Sequence, residues 1–489
     1  MSFGTDYREN PLARTKIIAT VGPACETREA LRDLILRGVD IFRLNFAHGS
    51  HQWLSEIVAH VRSLSEELDK PVGLLGDLSG PKIRLGKLAG DSVSCPEGAV
   101  FTFIRGREPA NNSELTCTYE PLIDDLKAGD RILLADGTVG MRVEETDPQE
   151  GWARCVVDAA GKIRSRQGVN LPGVALSTPS LTEKDRVDLQ WAIENELDFV
   201  GLSFVRSVDD VRDLRSCIEA SGTKTPPMIV SKIEKGEAVA QLEAIIDESD
   251  AVMVARGDLG VEVDIVTVPG IQKRIIRLCN QKRVPVITAT QMLDSMQQNE
   301  LPTRAETSDV ANAVLDGSDA VMLSGESAIG EYSREAVAMM SRIIRDAERL
   351  LESHPVVRLD LSATSAQAQV ITEAVAVGAV ATADRLDASL IAVATVSGRA
   401  ALAISKERRL VPVLAVCKSW RTARRMTLLW GITPIVWQQS SQTGDELAEF
   451  ATAWGLKECA LKVRDTVVVV ASSRWSARGH DAMLVHVVE

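Results

Sequence analysis

Hydrophobic residues fall in short, nearly continuous blocks, each ending in polar or glycine-rich residues. The blocks are "KIIATVGP" (16–23), "IFRLNFAHG" (41–49), "VGLLGDLSG" (72–80), "DFVGLSFV" (198–205), "MIVSKIE" (228–234), "AVMVARGDLG" (251–260), "PVITATQ" (285–291) and "AVMLSGES" (320–327). Apolar runs bounded by turn signals predict strands buried on both faces of a parallel sheet. Between most of them lie amphipathic segments. "TREALRDLILRG" and "EKDRVDLQWAIENE" have helical periodicity, and Thr182 stands before the second as its N-cap. Eight strands alternating with helices predict a (β/α)8 TIM barrel.

The texture changes twice. From about 81 to 178, "CPEGAVFTFIRG", "GDRILLADGTVGMRVEET" and "GWARCVVDAAGKI" alternate apolar and polar residues between Gly and Asp turns. This predicts an inserted small β-barrel domain. Its place on a βα loop puts it over the C-terminal mouth of the TIM barrel, as a lid. After about 355 a helical segment is followed by "SLIAVATVSGRAALAISKERRLVPVLAVCKS", which reads strand, turn, helix, strand. That predicts a separate C-terminal α/β domain, doubly wound. The expected division is 1–80 and 179–355 for the two parts of the TIM barrel, 81–178 for the lid and 356–489 for the last domain.

A chain of 489 residues is too long for one ordinary core, which fits this division. The apolar fraction of 45% and charged fraction of 25% are ordinary for globular protein, and the net charge of -13 argues against non-specific binding to nucleic acid or an acidic membrane. Small anions answer to local charge and stay open. The opening "MSFGTDYRENPLARTK" lacks the apolar core of a signal peptide, and no stretch approaches the ~18 apolar residues of a membrane span. The eight cysteines show no metal-ligand spacing and do not pair with the six histidines. They read as reduced thiols of a cytoplasmic protein, with no zinc expected.

In the barrel reading, polar residues gather at one end. Arg43 and Asn45 close the second strand, Asp77 the third, Lys232 and Glu234 the fifth. Lys82 and Arg84 lie just past the third, Asp258 follows the sixth, Thr290 closes the seventh and Ser324 the eighth. Alternate residues of a strand share a face, so Lys232 and Glu234 point the same way. Two carboxylates, Glu234 and Asp258, suit Mg2+ or Mn2+ with positions left for substrate oxygens. Arg43, Arg84 and Lys232 have no sequence-local partners, and such an excess of cations suits a phosphoryl group. Gly257 stands at a turn before a helix start, where backbone N–H groups can hold a carboxylate. Each residue also has a plainer reading: Lys232 and Glu234 as a structural ion pair, "GDLG" as a turn, Thr290 and Ser324 as caps or core hydroxyls.

The segments carrying these residues resemble the pyruvate kinase family: "TKIIATVGPA", "FRLNFAHG", "GDLSGPKIR", "GVNLPG", "SKIEK", "VMVARGDLGVE", "ITATQMLDSM" and "PTRAETSDVANAVLDGSDAVMLSGESA", in family order. The resemblance implies transfer of the phosphoryl group of phosphoenolpyruvate to ADP, giving ATP and pyruvate. It places Lys232 beside the phosphoryl group, Glu234 and Asp258 on the divalent metal, and Arg43 and Arg84 on phosphate. The backbone of Ala255, Arg256, Gly257 and Asp258 and the hydroxyl of Thr290 would bind the substrate carboxylate. Thr290 and Ser324 would belong to the water network that protonates the enolpyruvate carbon. Asn45, His48 and Asp136 would lie near the nucleotide. A homotetramer is the usual assembly.

Two departures from the family pattern matter. Where many members hold K+ with Asn, Ser and Asp, this chain has Asn45, Ala47 and Asp77, and Lys82 replaces a Glu of K+-requiring members. A fixed ammonium can supply the charge of K+, so activity without K+ is expected. Gln167 stands where many members carry a Lys that reaches the nucleotide, which puts ADP affinity in question.

In the last domain, Thr395, Ser397, Gly398 and Arg399 lie between a strand and a helix. They read either as a phosphate cradle or as an ordinary helix start with a surface Arg. The resemblance favours a phosphorylated allosteric effector, with "SSRWSARGHD" (472–481), carrying Arg474, Trp475 and Arg478, as an unaligned second half. Two rival functions stay open: a Mg2+-dependent lyase or aldolase acting at a pyruvate enolate, and a non-catalytic homologue. The first needs neither ADP nor the lid; the second predicts loss of metal or phosphate residues.

Overall fold

The computed structural model describes residues 13–88, 90, 92–135, 137–353, 367–438, 443–458, 460–471 and 482–489. Asp136 and the 472–481 segment fall outside them. The eight apolar blocks become strands β1 (Lys16–Thr20), β2 (Val39–Asn45), β3 (Gly73–Asp77), β4 (Phe199–Leu202), β5 (Met228–Ile233), β6 (Ala251–Ala255), β7 (Val286–Ala289) and β8 (Ala320–Leu323). They close into a parallel barrel in the order β1-β8-β7-β6-β5-β4-β3-β2.

The two-residue period of each strand decides what faces the lumen. Ile18, Ile41, Leu75, Phe199, Val230, Met253, Ile287 and Met322 form the inner cluster. Their neighbours Ile17, Phe42, Leu74, Val200, Ile229, Val252, Val286 and Val321 pack outward against the helices. Two residues beyond the inner cluster come Thr20, Arg43, Asp77, Lys232 and Ser324. The apolar plug and the polar layer above it are therefore one alternation, changing from hydrophobic to charged near the strand ends. The helices follow the sequence signals. Thr182 caps Glu183–Glu194 with a reciprocal capping box to Asp185, and Thr27 caps Arg28–Leu36.

Between β3 and β4 the chain forms two smaller sheets. One has six strands, in the order Val169–Asn170, Arg131–Leu134, Val139–Asp147, Trp152–Ala159, Val100–Ile104, Glu114–Leu115; the other pairs Ser92–Cys95 with Gly161–Arg164. They share a core of their own, including Phe101, Phe103, Met141 and Ile163.

The last sheet has strands β9 (Leu390–Ala394), β10 (Val413–Cys417), β11 (Ile432–Val436), β12 (Thr466–Ala471) and β13 (Ala482–Val487), in the order β11-β10-β9-β12-β13. All neighbours are parallel except β12 and β13. This domain closes the barrel's other end. Leu428 joins the inner cluster from below. Lys406 Nζ lies 2.6 Å from Asp319, which precedes β8, and Arg424 Nε lies 2.9 Å from Asp198, which precedes β4. No described helix is long and apolar enough to cross a membrane.

Candidate active site

Asp77 is the hub of the polar layer. Its Oδ2 accepts Arg43 Nε at 2.7 Å, and Arg43 Nη2 lies 2.6 Å from the same oxygen. Lys232 Nζ is 3.3 Å from either Asp77 oxygen, 2.8 Å from Glu234 Oε1 and 2.7 Å from Ser203 Oγ. Thr20 Oγ1 accepts Arg43 Nη1 at 3.1 Å and donates to the Leu323 carbonyl, tying β1 to β8. A Cβ added to Gly201 would lie 2.9 Å from Asp77 Oδ1, so β4 needs glycine beside the carboxylate. Glu234 Oε2 accepts the Phe204 N–H at 2.9 Å, and Phe204 adopts φ 55°.

Burial and charge compete here. Burial pushes the Asp77 carboxyl up, but Lys232 and Arg43 outweigh it and hold the pKa below its ordinary value. Burial pulls the Lys232 ammonium down, but Asp77 and Glu234 outweigh it and leave it raised. At Glu234 burial wins: despite Lys232 its carboxyl lies above the usual value, and the charge of Asp258 adds to the rise.

Arg43 and Lys232 are therefore not the partnerless cations that the local sequence suggests. Both share Asp77, which comes from 34 and 155 residues away; β2 pairs directly with β3, and β5 lies one strand further on, beyond β4. Lys232 and Glu234 do form an ion pair, as the plainer reading has it.

The helix Arg256–Glu262 begins at once after β6. The Arg256 side chain turns away from the lumen to Asp309 (2.6 Å) and the Thr290 carbonyl (2.7 Å). Gly257 donates its N–H to Thr290 Oγ1 at 2.8 Å. Thr290 has φ 66° and Gln291 φ 54°, a sharp left-handed turn at the end of β7. Glu326 Oε1 and Oε2 accept the N–H groups of Leu293 and Ser324, fastening the loops after β7 and β8 together. Glu326 and Ser203 carry structure that motif reading missed; a carboxylate within "SGES" was the available signal for the first.

The remaining candidates are more scattered. Arg84 gives its guanidinium to the Arg166 carbonyl, in a turn of the inserted domain, at 3.2 Å. Asn45 Oδ1 accepts the Ala47 N–H at 3.1 Å. His48 and Lys82 are exposed, and the Lys82 ammonium has no partner among the described residues. Gln167 Oε1 accepts the Arg164 N–H at 2.6 Å, so its side chain closes its own turn. In the last domain the Thr395 hydroxyl accepts the Gly398 N–H at 3.0 Å, Gly398 sits at φ 84°, and Ser397 and Arg399 are exposed.

The donor set fits a divalent cation. Asp258 has no hydrogen bond to its carboxylate among the described residues, and Glu234 is a buried carboxylate incompletely balanced by one lysine. Both offer hard oxygens, as Mg2+ and Mn2+ require. Among the described residues no group of three or more His, Cys, Asp or Glu comes together as a metal-holding cluster, so any cation here would rest on these two carboxylates.

Comparison with known proteins agrees with the geometry. The family model described as "Pyruvate kinase, barrel domain" matches residues 12–337, and "Pyruvate kinase, alpha/beta domain" matches 373–486. The chain is 43% identical over 427 residues to "Pyruvate kinase 2" of Synechocystis sp., covering 86% of this chain and 70% of that protein. It is 40% identical over 480 residues to "Pyruvate kinase" of Clostridium acetobutylicum, covering 98% of this chain and 100% of that protein. It is also 39% identical over 481 residues to "Pyruvate kinase" of Geobacillus stearothermophilus, covering 97% and 80%. With both domain models matched in order and the charged layer at the barrel's C-terminal mouth, the chain belongs to the pyruvate kinase family.

Proposed function

We propose that this chain transfers the phosphoryl group of phosphoenolpyruvate to ADP, giving ATP and pyruvate. The observation that carries the reading is the cluster of Arg43, Asp77, Lys232 and Glu234 at the barrel mouth, in a chain of this family. Phosphoryl transfer asks for positioning and neutralised charge rather than for a covalent intermediate. Lys232 is prepared for that work. Its raised pKa keeps it charged, and its bonds to Asp77, Glu234 and Ser203 hold the ammonium before substrate arrives. In this reading the ester P–O bond breaks while an ADP oxygen bonds to phosphorus, with Lys232, Arg43 and Arg84 facing the phosphoryl oxygens. Glu234 and Asp258 would hold Mg2+ or Mn2+, which when bound supplies positive charge to substrate oxygens. The enolate carbon then takes a proton through water ordered by Thr290 and Ser324. Asn45, His48 and Asp136 are assigned to the nucleotide.

We also propose that K+ is not required. Asp77 is already shared by two cations, the Asn45 carbonyl is committed to its own loop, and Ala47 offers no side-chain oxygen. Lys82 would supply the missing charge. The seven described cysteines are all unpaired, which supports placement in a reducing cytoplasm. A homotetramer and a phosphorylated effector at Thr395, Ser397, Gly398 and Arg399 complete the reading.

The test is steady-state release of pyruvate from phosphoenolpyruvate with and without ADP. ADP-dependent release with matching ATP formation is expected. Release of pyruvate without ADP would overturn the assignment in favour of enolate chemistry of the lyase or aldolase kind.

A further inference from the structure

Lys235 follows Glu234 and so leaves β5 on the opposite face from the lumen. Its Nζ lies 2.6 Å from Glu262 Oε1, with the side chains only 7% and 2% exposed. Glu262 ends the helix Arg256–Glu262, one turn beyond Asp258. The same Glu262 oxygen accepts from Asn170 Nδ2 at 3.4 Å. Asn170 belongs to the outermost strand of the inserted sheet. The Lys235 ammonium also stands 5.9 Å from the centroid of the Phe204 ring, and the Phe204 N–H holds Glu234.

One buried ion pair thus ties the strand end bearing Glu234 to the helix bearing Asp258, and touches the root of the inserted domain. A buried ion pair is often no more stabilising than apolar packing of the same volume, because both charges must be desolvated. What it does supply is a fixed distance. The two carboxylates come from separate elements, and metal affinity falls when ligands are held loosely.

We propose that Lys235 and Glu262 are positioning residues that set the separation of the Glu234 and Asp258 carboxylates and thereby the affinity for the divalent cation. The inference rests on the reading that those two carboxylates hold the metal. Neither positioning side chain touches substrate; they act through the elements they join.

The test is Mn2+ binding to the full-length protein without phosphoenolpyruvate or ADP, followed by electron paramagnetic resonance of free Mn2+. The double variant Lys235→Met/Glu262→Met removes both charges and leaves neither orphaned. It is expected to melt near the wild-type temperature yet bind Mn2+ about tenfold more weakly. Lys235→Arg, which can keep the ion pair, is expected to stay within about threefold of wild type. Glu262→Gln, which keeps an acceptor for Lys235 but loses the charge, is expected to fall at least about threefold. In turnover assays the Mn2+ concentration for half-maximal rate rises with the binding constant, while KM for phosphoenolpyruvate at saturating Mn2+ does not. A double variant that binds Mn2+ within twofold of wild type overturns the proposal, and so does an unchanged Glu262→Gln should the double variant fail to fold. Asp258→Asn separates the two layers of the argument. If it leaves Mn2+ affinity unchanged, the metal assignment itself falls; if it weakens binding while the ion-pair variants do not, only the positioning role falls.

Discussion

Replacing Lys232 by Met tests the charge balance of the site as well as its catalysis. The ammonium lies 2.8 Å from Glu234 and 3.3 Å from Asp77, attractions of about 6 and 5 kcal/mol at an effective dielectric of about 20. Desolvation and the neighbouring Arg43 offset most of this, and removing one partner of a buried pair usually costs about 3–5 kcal/mol. The two carboxylates do not share the loss equally. Asp77 keeps Arg43, through Nε at 2.7 Å and Nη2 at 2.6 Å. Among the described residues Glu234 keeps only the Phe204 N–H and is left as the orphan. We therefore expect Lys232→Met to lose about 3 kcal/mol, at the low end of that range, and to lower Tm by roughly 5 °C or more. Adding Glu234→Gln should restore most of the lost stability, whereas adding Asp77→Asn should not, because it strips Arg43 of its partner. In the Lys232→Met variant the Glu234 pKa lies further above its unfolded value. The deficit is then small below the unfolded carboxylate pKa and grows as pH rises through the folded one. Turnover should fall by at least ~10²-fold in every one of these variants, since the preorganised charge proposed to face the phosphoryl group is gone. Calorimetric melting from pH 4 to 8, with an ADP-dependent pyruvate assay, reads both effects. Rescue by Asp77→Asn rather than Glu234→Gln would refute the charge accounting, and near-normal turnover would remove Lys232 from the transition state.

Turnover in Na+ or tetramethylammonium buffer should match that in K+; activity lost there and restored by K+ would refute the role given to Asp77 and Lys82. Thr290→Gly should hold or raise Tm, because a β-branched residue at φ 66° carries strain of about 1–3 kcal/mol. The same change removes the hydroxyl bonded to Gly257 and should lower kcat on the order of 10²-fold, with Thr290→Ser largely active. Alkaline stability should fall through the thiols: burial pushes Cys155 and Cys279 up to about 12. The folded chain keeps protons that the unfolded chain releases near a pKa of about 8.5. This stabilisation is whole below that value and is lost as pH rises towards 12. Lys406, pulled down to about 8 by burial, has the opposite slope between 8 and its ordinary value of 10.5, so Cys279→Ala should flatten the alkaline loss and Lys406→Met should steepen it.

Much of the candidate site's polar layer was legible because it lies on strands. An alternation that puts Val230 in the lumen also puts Lys232 there, with Glu234 continuing the series, and the same parity carries Ile41 to Arg43 and Leu75 to Asp77. Fold class followed from eight apolar blocks with helices between them, and Thr182 marked its helix start through a cap whose chemistry is local. Asp77 was legible as a residue at a strand end but not as the hub. Its partners stand on β2 and β5, and only the strand order puts β3 beside β2 and within reach of β5 across β4, by way of a glycine at position 201. The turn at Thr290 was likewise hidden, since a positive φ in a threonine contradicts local preference and is imposed by packing.

The one-dimensional pattern thus determined which residues share a face and which end of each strand is polar, because those depend on a two-residue period and on neighbours in the chain. Tertiary structure decided who pairs with whom: Arg43 and Lys232 on Asp77, Lys235 on Glu262, Lys406 on Asp319. Those choices depend on distances across strands far apart in sequence. In a buried, low-dielectric layer a difference of an ångström or two determines whether a charge is neutralised by a neighbour or left to be neutralised by a ligand.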